Sequence, residues 1–420
     1  MTLTKLLEGS RSNTVAFRGR SRLPTIIYLY EARRGEFNNP NLVFRGLSRL
    51  VGRGFGADWR LLGADVHSLF SVQLLRAVAA SMVVLHHIQL NVAQGLGLPN
   101  ALPNLVVGSA GVDIFFVISG FVMVVSSDRL FGQPGATKLF LLRRLIRIVP
   151  LYWTATSIYV LSTGGGYTLA HTLASYFFIP YARPDGVVQP IHVVGWTLNY
   201  EMFFYLLFAL VIALPRRLAV GAVIAGLGAT VLIGRATPQA MDALTFWSQP
   251  VILNFVFGLG IGLAYKEGLR LPWPIAAVLI GTAAFLYAEQ IGDDFPLPWE
   301  RIRVYGFPAA LLLTGATLGT FGPPPQWLRP LGSLGDSSYA LYLLHTVVLW
   351  GCRMIAIKLA LPVSAAPWAY VLAVMLASVI VAGIAHRLLD HPVTQWLRER
   401  LVVPSGTSKA IGAPVQDAQS

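Results

Sequence analysis

Apolar residues fill long stretches of this chain, and few of those stretches contain a charged side chain. A helix needs about 20 residues to cross the ~30 Å of hydrocarbon in a bilayer. Stretches of about that length predict ten helices, at residues 72–92, 104–126, 146–163, 193–214, 218–234, 250–265, 273–289, 304–321, 337–357 and 367–388. We therefore predict an all-α fold, a polytopic integral membrane bundle of about ten transmembrane helices.

Basic residues in the connecting segments predict how this bundle is oriented. An even number of helices places both termini on one side, and the segment 1–65, with eleven Lys or Arg, marks that side as cytoplasmic. Beyond that segment, fourteen basic residues fall in inside segments and six in outside segments. We expect residues 1–65 to be a disordered cytoplasmic extension, residues 66–392 to form the membrane domain and residues 393–420 to be a cytoplasmic tail.

Composition supports a membrane protein and changes the meaning of the net charge. The 420 residues are 55% apolar and 12% charged, whereas an ordinary globular domain has about 25% charged residues. Since basic loops orient membrane bundles, the net charge of +13 indicates contact with membrane lipids and no nucleic-acid partner. The single cysteine, Cys352, excludes an internal disulfide and a cysteine-based metal cluster, and we expect no metal site.

The first predicted helix carries titratable side chains at membrane depth. Arg76 lies near its start and the pair His86 and His87 near its end, with Arg76 and His87 roughly 16 Å apart along the axis. Such groups usually face a protein interior or a wet cavity, which makes them candidates for function. Alternatively, Arg76 could snorkel to the headgroups and a neighbouring helix could hold the histidine.

Two carboxylates are predicted to lie in the same leaflet as His87. Asp113 and Glu201 fall near the outer ends of the second and fourth predicted helices. A carboxylate that accepts a hydrogen bond from one imidazole nitrogen makes the other nitrogen a better base. Asp113 could instead cap its helix or pair with a cation, and Glu201 could simply satisfy a neighbour.

Two further groups are predicted at the cytoplasmic side and along the ninth helix. Three arginines stand at the entry to the third helix: Arg143, Arg144 and Arg147. One guanidinium can bind two oxygens of a phosphate group, so the cluster suits a phosphate ligand. Alternatively, the three arginines are an ordinary positive-inside anchor. Ser338, Tyr342 and His345 share one face of the ninth helix, which predicts contact with a cavity or a polar core network.

Five stretches in this order resemble the motifs of the membrane-bound acyltransferase family 3, especially its branch that O-acetylates bacterial exopolysaccharides. They lie within residues 70–392 and read RAVAASMVVLHH, GSAGVDIFFVISGFVM, FLLRRLIRIVPLYW, GWTLNYEMFFYLL and SSYALYLLH. The resemblance implies that His87 and Arg76 are the essential histidine and arginine of the family. It also associates Arg144 and Arg147 with acyl-CoA. Many relatives have two consecutive acids in the fourth block, whereas Met202 follows Glu201 here.

The resemblance implies a multi-pass O-acetyltransferase of the bacterial inner membrane that uses cytoplasmic acetyl-CoA. The implied acceptor is a polysaccharide or lipid-linked oligosaccharide, within a possible synthesis or export complex. We expect Arg76, His87, Asp113 and Glu201 to be catalytic. We expect a donor-binding set of Arg143, Arg144, Arg147, Ser338, Tyr342 and His345.

In this hypothesis His87 acts as a general base or carries the acetyl group itself. The alternatives are a transporter or flippase for a lipid-linked glycan, and a scaffold subunit of an export complex. A flippase would use the same buried charges as relays.

Overall fold

The computed structural model describes residues 66–183, 185–237 and 242–402, all within the compact unit Phe55–Ser420. These residues form helices and connecting loops, with two isolated β-bridges, Ala182 to Val188 and Leu271 to Gly319. The expected N-terminal extension, 1–65, and the end of the expected tail, 403–420, lie outside the described residues. The first part of that tail is helical, because the last helix reaches Leu401.

Ten helices of twelve residues or more make up most of the described chain. They are α1 (Val66–Leu90), α2 (Gly111–Ser126), α3 (Ala136–Ser162), α5 (Trp196–Val211), α6 (Arg216–Ala236), α8 (Asn254–Lys266), α9 (Trp273–Ala288), α11 (Phe307–Leu318), α13 (Ser338–Lys358) and α14 (Pro367–Ala385). Shorter helices connect or follow them: α4 (Leu169–Tyr176), α7 (Asp242–Trp247), α10 (Pro298–Arg301), α12 (Arg329–Asp336) and α15 (His391–Leu401).

Seven helical segments of the described chain are long and apolar enough to cross a membrane. They are Phe70–Gly95, Val106–Ser126, Ala136–Ser162, Val193–Val211, Arg216–Ala236, Ser338–Lys358 and Pro367–Leu401. Two shorter apolar helices, Pro250–Lys266 and Trp273–Ala288, fall below that length. The all-helical membrane fold is therefore confirmed for these residues. The count of ten spans and the cytoplasmic position of both termini stay predictions.

The core of the bundle is built around α2, whose apolar stretch is 72% buried, against 28% for the α6 and α14 segments. Small residues let α2 approach α8 closely. A β-carbon at Gly120 would overlap the backbone oxygen of Phe255, and one at Gly258 would overlap that of Val117. Small residues at such crossings are typical of membrane helices, whose association depends on close packing. The helices with Arg76, His87, Asp113 and Glu201 are therefore also the most enclosed of the seven long segments.

Candidate functional site

His87 and His345 face each other between α1 and α13. The Nδ1 atom of His87 lies 2.8 Å from the Val83 backbone oxygen, and Nδ1 of His345 lies 3.1 Å from that of Leu341. A carbonyl oxygen can only accept, so each Nδ1 carries a proton, and in the neutral form of the ring each Nε2 has the lone pair. The ring centroids are 5.0 Å apart. The helices thus hold two imidazoles side by side.

Within the described residues, His87 makes its hydrogen bond through Nδ1 alone, and the buried Nε2 of His345 has no partner. His87 is half-buried and lines a recess of about 360 Å³ between the ends of α1 and α3 and the middle of α13. Since unpaired polar atoms are uncommon in folded proteins, this pair is a candidate for function rather than for structural support.

His86 points elsewhere, as two adjacent residues on one helix must. Its side chain packs against the turn Val106–Ala110, where a β-carbon at Gly108 would lie 2.9 Å from His86 Cβ. It is buried, and its ring centroid is 5.2 Å from that of His87. Of the two histidines, His87 is therefore the one that lines the recess.

Asp113 is held by partners other than His87. Arg301 donates to its two oxygens at 3.2 and 2.6 Å, and Asn254 donates to Oδ1 at 2.7 Å. Both members of the ion pair are buried, and Arg301 also donates to the Ser109 backbone oxygen. Of the alternatives that the sequence leaves open, Asp113 therefore pairs with a cation rather than with His87, because an arginine from the α10 segment donates to both carboxylate oxygens.

Glu201 lies with the arginines rather than with His87. Its Oε1 accepts hydrogen bonds from Ser119, at 3.1 Å, and from the Tyr205 hydroxyl. Its charge acts on both Arg76 and Arg144. Of the two alternatives for Glu201, the structure therefore shows hydrogen bonds to neighbours, while the Val83 carbonyl accepts the hydrogen bond from the His87 ring.

The predicted arginine cluster is present, and each member has a different environment. Arg144 donates to Ser126 Oγ at 2.6 Å and lies over the rings of Phe140 and Tyr205, while its buried Nε finds no partner in the described part of the chain. Arg143 is half-buried, and no hydrogen bond or ion pair engages it within the described residues. Donors therefore remain available for a phosphate ligand.

Arg147 is the paired member of the cluster. It contacts Asp390 at 3.3 Å, and the same carboxylate oxygen lies 2.9 Å from His386 Nδ1. Arg398 of α15 adds positive charge that acts on all three clustered arginines. Asp390 and Arg398 lie beyond the motifs in the sequence, so no motif pointed to them.

Arg76 meets Ser338, which joins the start of α1 to the start of α13. The Arg76 Nε donates to Ser338 Oγ at 3.1 Å. One turn away, Gln73 donates to the carboxylate of Asp336. Burial raises the Asp336 pKa to about 6, although the Gln73 hydrogen bond lowers it. Arg76 and Ser338, predicted on separate grounds, thus form one contact.

Tyr342 lies between Ser338 and His345 along α13, and its hydroxyl bonds to residues at and just before the start of α5. Its hydroxyl is 2.9 Å from Thr197 Oγ1 and donates to the Val194 backbone oxygen at 2.9 Å. Nearby, His192 is fully buried and its Nε2 lies 2.9 Å from the Leu343 backbone oxygen. The sequence analysis did not single out His192, which stands just before a predicted helix.

The set of residues divides into two groups along α1 and α13. At one level lie Arg76, Ser338 and Glu201 with the arginine cluster, and at the other lie His87 and His345 beside the recess. Within the described ranges, no group of three or more His, Cys, Asp or Glu is arranged to hold a metal ion. The arrangement suits an anionic molecule at the arginine end and base chemistry at the histidine end.

Comparison with known proteins identifies the family. A profile described as an acyltransferase domain matches residues 69–387, most of the chain. The chain belongs to acyltransferase family 3. The family resemblance found in the five motifs is thereby confirmed, and the long apolar helices make this acyltransferase a multi-pass membrane protein.

Two relatives match this chain over most of their own length. The exopolysaccharide production protein ExoZ of Rhizobium meliloti is 35% identical over 316 residues, which is 72% of this chain and 95% of ExoZ. The acyltransferase MdmB of Streptomyces mycarofaciens is 25% identical over 337 residues, 72% of this chain and 85% of MdmB. This acyltransferase is therefore related to exopolysaccharide-associated family members. No solved structure matches the chain.

Proposed function

We propose that this acyltransferase moves an acetyl group from cytoplasmic acetyl-CoA to a hydroxyl of an exopolysaccharide or its lipid-linked precursor, in the bacterial inner membrane. The observation that carries the proposal is His87, whose Nδ1 is fixed by Val83 and whose ring lines a recess beside His345. The name of ExoZ, an exopolysaccharide production protein, supports this class of acceptor.

The donor would bind at the arginine end of the bundle. Coenzyme A carries several phosphate groups, and arginine forks bind phosphate oxygens through charge-assisted hydrogen bonds. Among the described residues, neither Arg143 nor the buried Nε of Arg144 has a hydrogen-bond partner. Arg147 is already bonded to Asp390, so its main contribution to donor binding is its positive charge. Arg76 lies closer to the histidines along α1 and would orient the thioester end of the extended pantetheine arm.

The transfer step needs a base where the acceptor hydroxyl meets the thioester. As the hydroxyl oxygen attacks the thioester carbonyl, its proton moves to His87 Nε2, the carbon–sulfur bond breaks and CoA leaves as the thiolate. His345 Nε2, in the adjacent ring, would hold that proton until the departing thiolate takes it up, which leaves both imidazoles neutral and CoA as the free thiol. General base catalysis of this kind contributes about 10²-fold to 10⁴-fold. Transient transfer of the acetyl group to His87 is the other route that this geometry accommodates.

The runner-up function, transport or flipping of a lipid-linked glycan, is not favoured by the family. A direct assay separates the two. Proteoliposomes that contain the purified chain and an oligosaccharide acceptor are given acetyl-CoA, and released CoA thiol and acetylated sugar are measured. We expect both products from the wild type and neither from His87→Ala. The matched control is His391→Ala, which replaces a half-buried histidine of α15 and should stay active. Equal CoA release by His87→Ala would refute the role of His87.

A further inference from the structure

Arg353 of α13 lies in the same recess as His87 and lacks a counter-ion there. The recess has polar and aromatic walls that include Asn91, Gln94, Tyr159, Ser162, Thr346 and Trp350. None of the described residues that line it is acidic. The Nε of Arg353 is buried without a hydrogen-bond partner among the described residues. A buried donor of a charged group that finds no acceptor is costly, unless a ligand provides one.

A second donor points to the same place. The hydroxyl of Tyr370 donates to Asn91 Oδ1 at 3.1 Å, which leaves the Nδ2 side of that amide for another partner. Gly95 has no side chain, and a β-carbon there would lie 3.3 Å from both Arg353 Nη1 and Asn91 Nδ2. Two nitrogen donors therefore border the same face of Gly95, where any side chain would crowd them.

A structural role for Arg353 accounts poorly for these facts. A snorkelling arginine keeps its head group in water, whereas the Nε of Arg353 is enclosed. An arginine placed for the helix dipole belongs in the last turn of a helix, a position that Lys358 holds in α13. Convergent donors in a recess lined partly by aromatic rings are typical of a ligand site.

We propose that Arg353 and Asn91 bind an oxyanion of the acceptor glycan, while Tyr159 and Trp350 offer ring faces to its sugars. The oxyanion is either the carboxylate of an acidic sugar or the phosphate of a lipid-linked sugar, since both present oxygens to these donors. The inference rests on the proposed function, because it places the acceptor beside His87. It adds that this acyltransferase selects anionic over neutral acceptors.

The test compares three acceptors in the proteoliposome assay with acetyl-CoA: a lipid-free oligosaccharide with one uronic acid, its neutral counterpart, and the neutral oligosaccharide on a polyprenyl diphosphate. Arg353→Gln should raise KM for one of the two anionic acceptors, the one whose oxyanion binds at Arg353. The increase should be about tenfold to a hundredfold, because a hydrogen bond to a charged group is lost. The KM of the lipid-free neutral acceptor should not change. Arg353→Lys keeps the charge and should recover part of the loss.

Two further variants keep the test decisive if Arg353→Gln does not fold. Asn91→Asp replaces a donor with a carboxylate that would pair with Arg353 and repel the ligand. Gly95→Ala puts a methyl group where the donors converge. Both should raise KM for the same anionic acceptor while Arg353 is intact.

The outcomes separate the two sources of the oxyanion, and they separate a failure of the anion site from a failure of the proposed acetyl transfer. A KM effect confined to the uronic-acid acceptor identifies a sugar carboxylate, and one confined to the lipid-linked acceptor identifies the diphosphate. Equal effects on all three acceptors, or none in any folded variant, would overturn the anion site while leaving acetyl transfer intact. If the wild type releases no CoA with any acceptor, the proposed function itself fails.

Discussion

Replacing Arg301 with Met should destabilise the bundle, because it leaves the Asp113 carboxylate buried without its cation. Arg301 donates to both oxygens of Asp113, and Asn254 alone would remain as a donor. Asp113 has no exposed surface. Breaking one partner of such a pair costs about 3–5 kcal/mol. We expect a loss of unfolding free energy of that order.

Arg303→Met is the matched control for this change. Arg303 lies two residues further along and pairs with Glu300 at 3.0 Å on the protein surface, where 76% of its side chain is exposed. Exposed pairs contribute about 0–1 kcal/mol. Unfolding by denaturant of purified, detergent-solubilised variants at a fixed protein-to-detergent ratio measures the difference. Equal stabilities of the two variants would refute the stabilising role of the buried pair.

The double variant Asp113→Asn with Arg301→Met tests whether the carboxylate has a chemical role as well. It leaves no charge buried and keeps an acceptor for Asn254, so it should recover most of the lost stability. We expect it to transfer acetyl groups, because Arg301 and Asn254 hold Asp113 away from His87. A stable but inactive double variant would return Asp113 to the catalytic group.

Three further predictions follow from individual contacts. His345→Gln should lower kcat of acetyl transfer at least tenfold with little change in KM for acetyl-CoA, because the amide of glutamine cannot take up a proton from His87; an unchanged kcat in steady-state assays would contradict the proton route. With an Asp336 pKa of about 6 and an unfolded value of about 4, the folded chain binds more protons between those values, so this group makes stability fall as pH rises from about 4 to 6. Asp336→Asn should therefore raise the melting temperature above pH 6 and leave it unchanged below pH 4, and a uniform shift at all pH values would contradict this. Gly120→Ala should destabilise by about 1–3 kcal/mol through overlap with the Phe255 carbonyl, as judged by denaturant unfolding; a neutral effect would show that α2 and α8 can separate.

Sequence pattern was a good guide where function depends on spacing along single helices. The polar positions of α1 and α13 were predicted as two separate sets, and the structure brings Arg76 to Ser338 and His87 to His345. Helical periodicity defines which residues share a face.

Contacts between distant segments were less accessible to sequence reasoning. Arg301 was counted as a loop cation, and nothing local shows that α10 brings it to Asp113. Glu201 was assigned to the leaflet of His87 from the predicted depth of its helix. The packing of α5 instead brings it to Ser119 and Tyr205. Such pairings depend on tertiary packing, which one sequence does not encode in its spacing.

The number of spans shows a similar limit. Hydropathy finds apolar stretches without fixing the length or the charge of the helices inside them. Pro250–Lys266 and Trp273–Ala288 are apolar but short. The twelve residues of α11 follow helical turns that carry Glu300, Arg301 and Arg303. Seven helical segments of the described chain therefore have the length and composition of a membrane span, against the ten predicted.

The most direct test of the account is a sidedness measurement on oriented proteoliposomes. Acetyl-CoA with a labelled acetyl group is supplied only to the side bearing Arg143 and Arg144, and the oligosaccharide acceptor only to the opposite side. We predict that label appears on the acceptor with the wild type and is absent with His87→Ala. Label on the acceptor in His87→Ala at the wild-type rate, or none with a folded wild type, would contradict transfer between the arginine end and the histidine end.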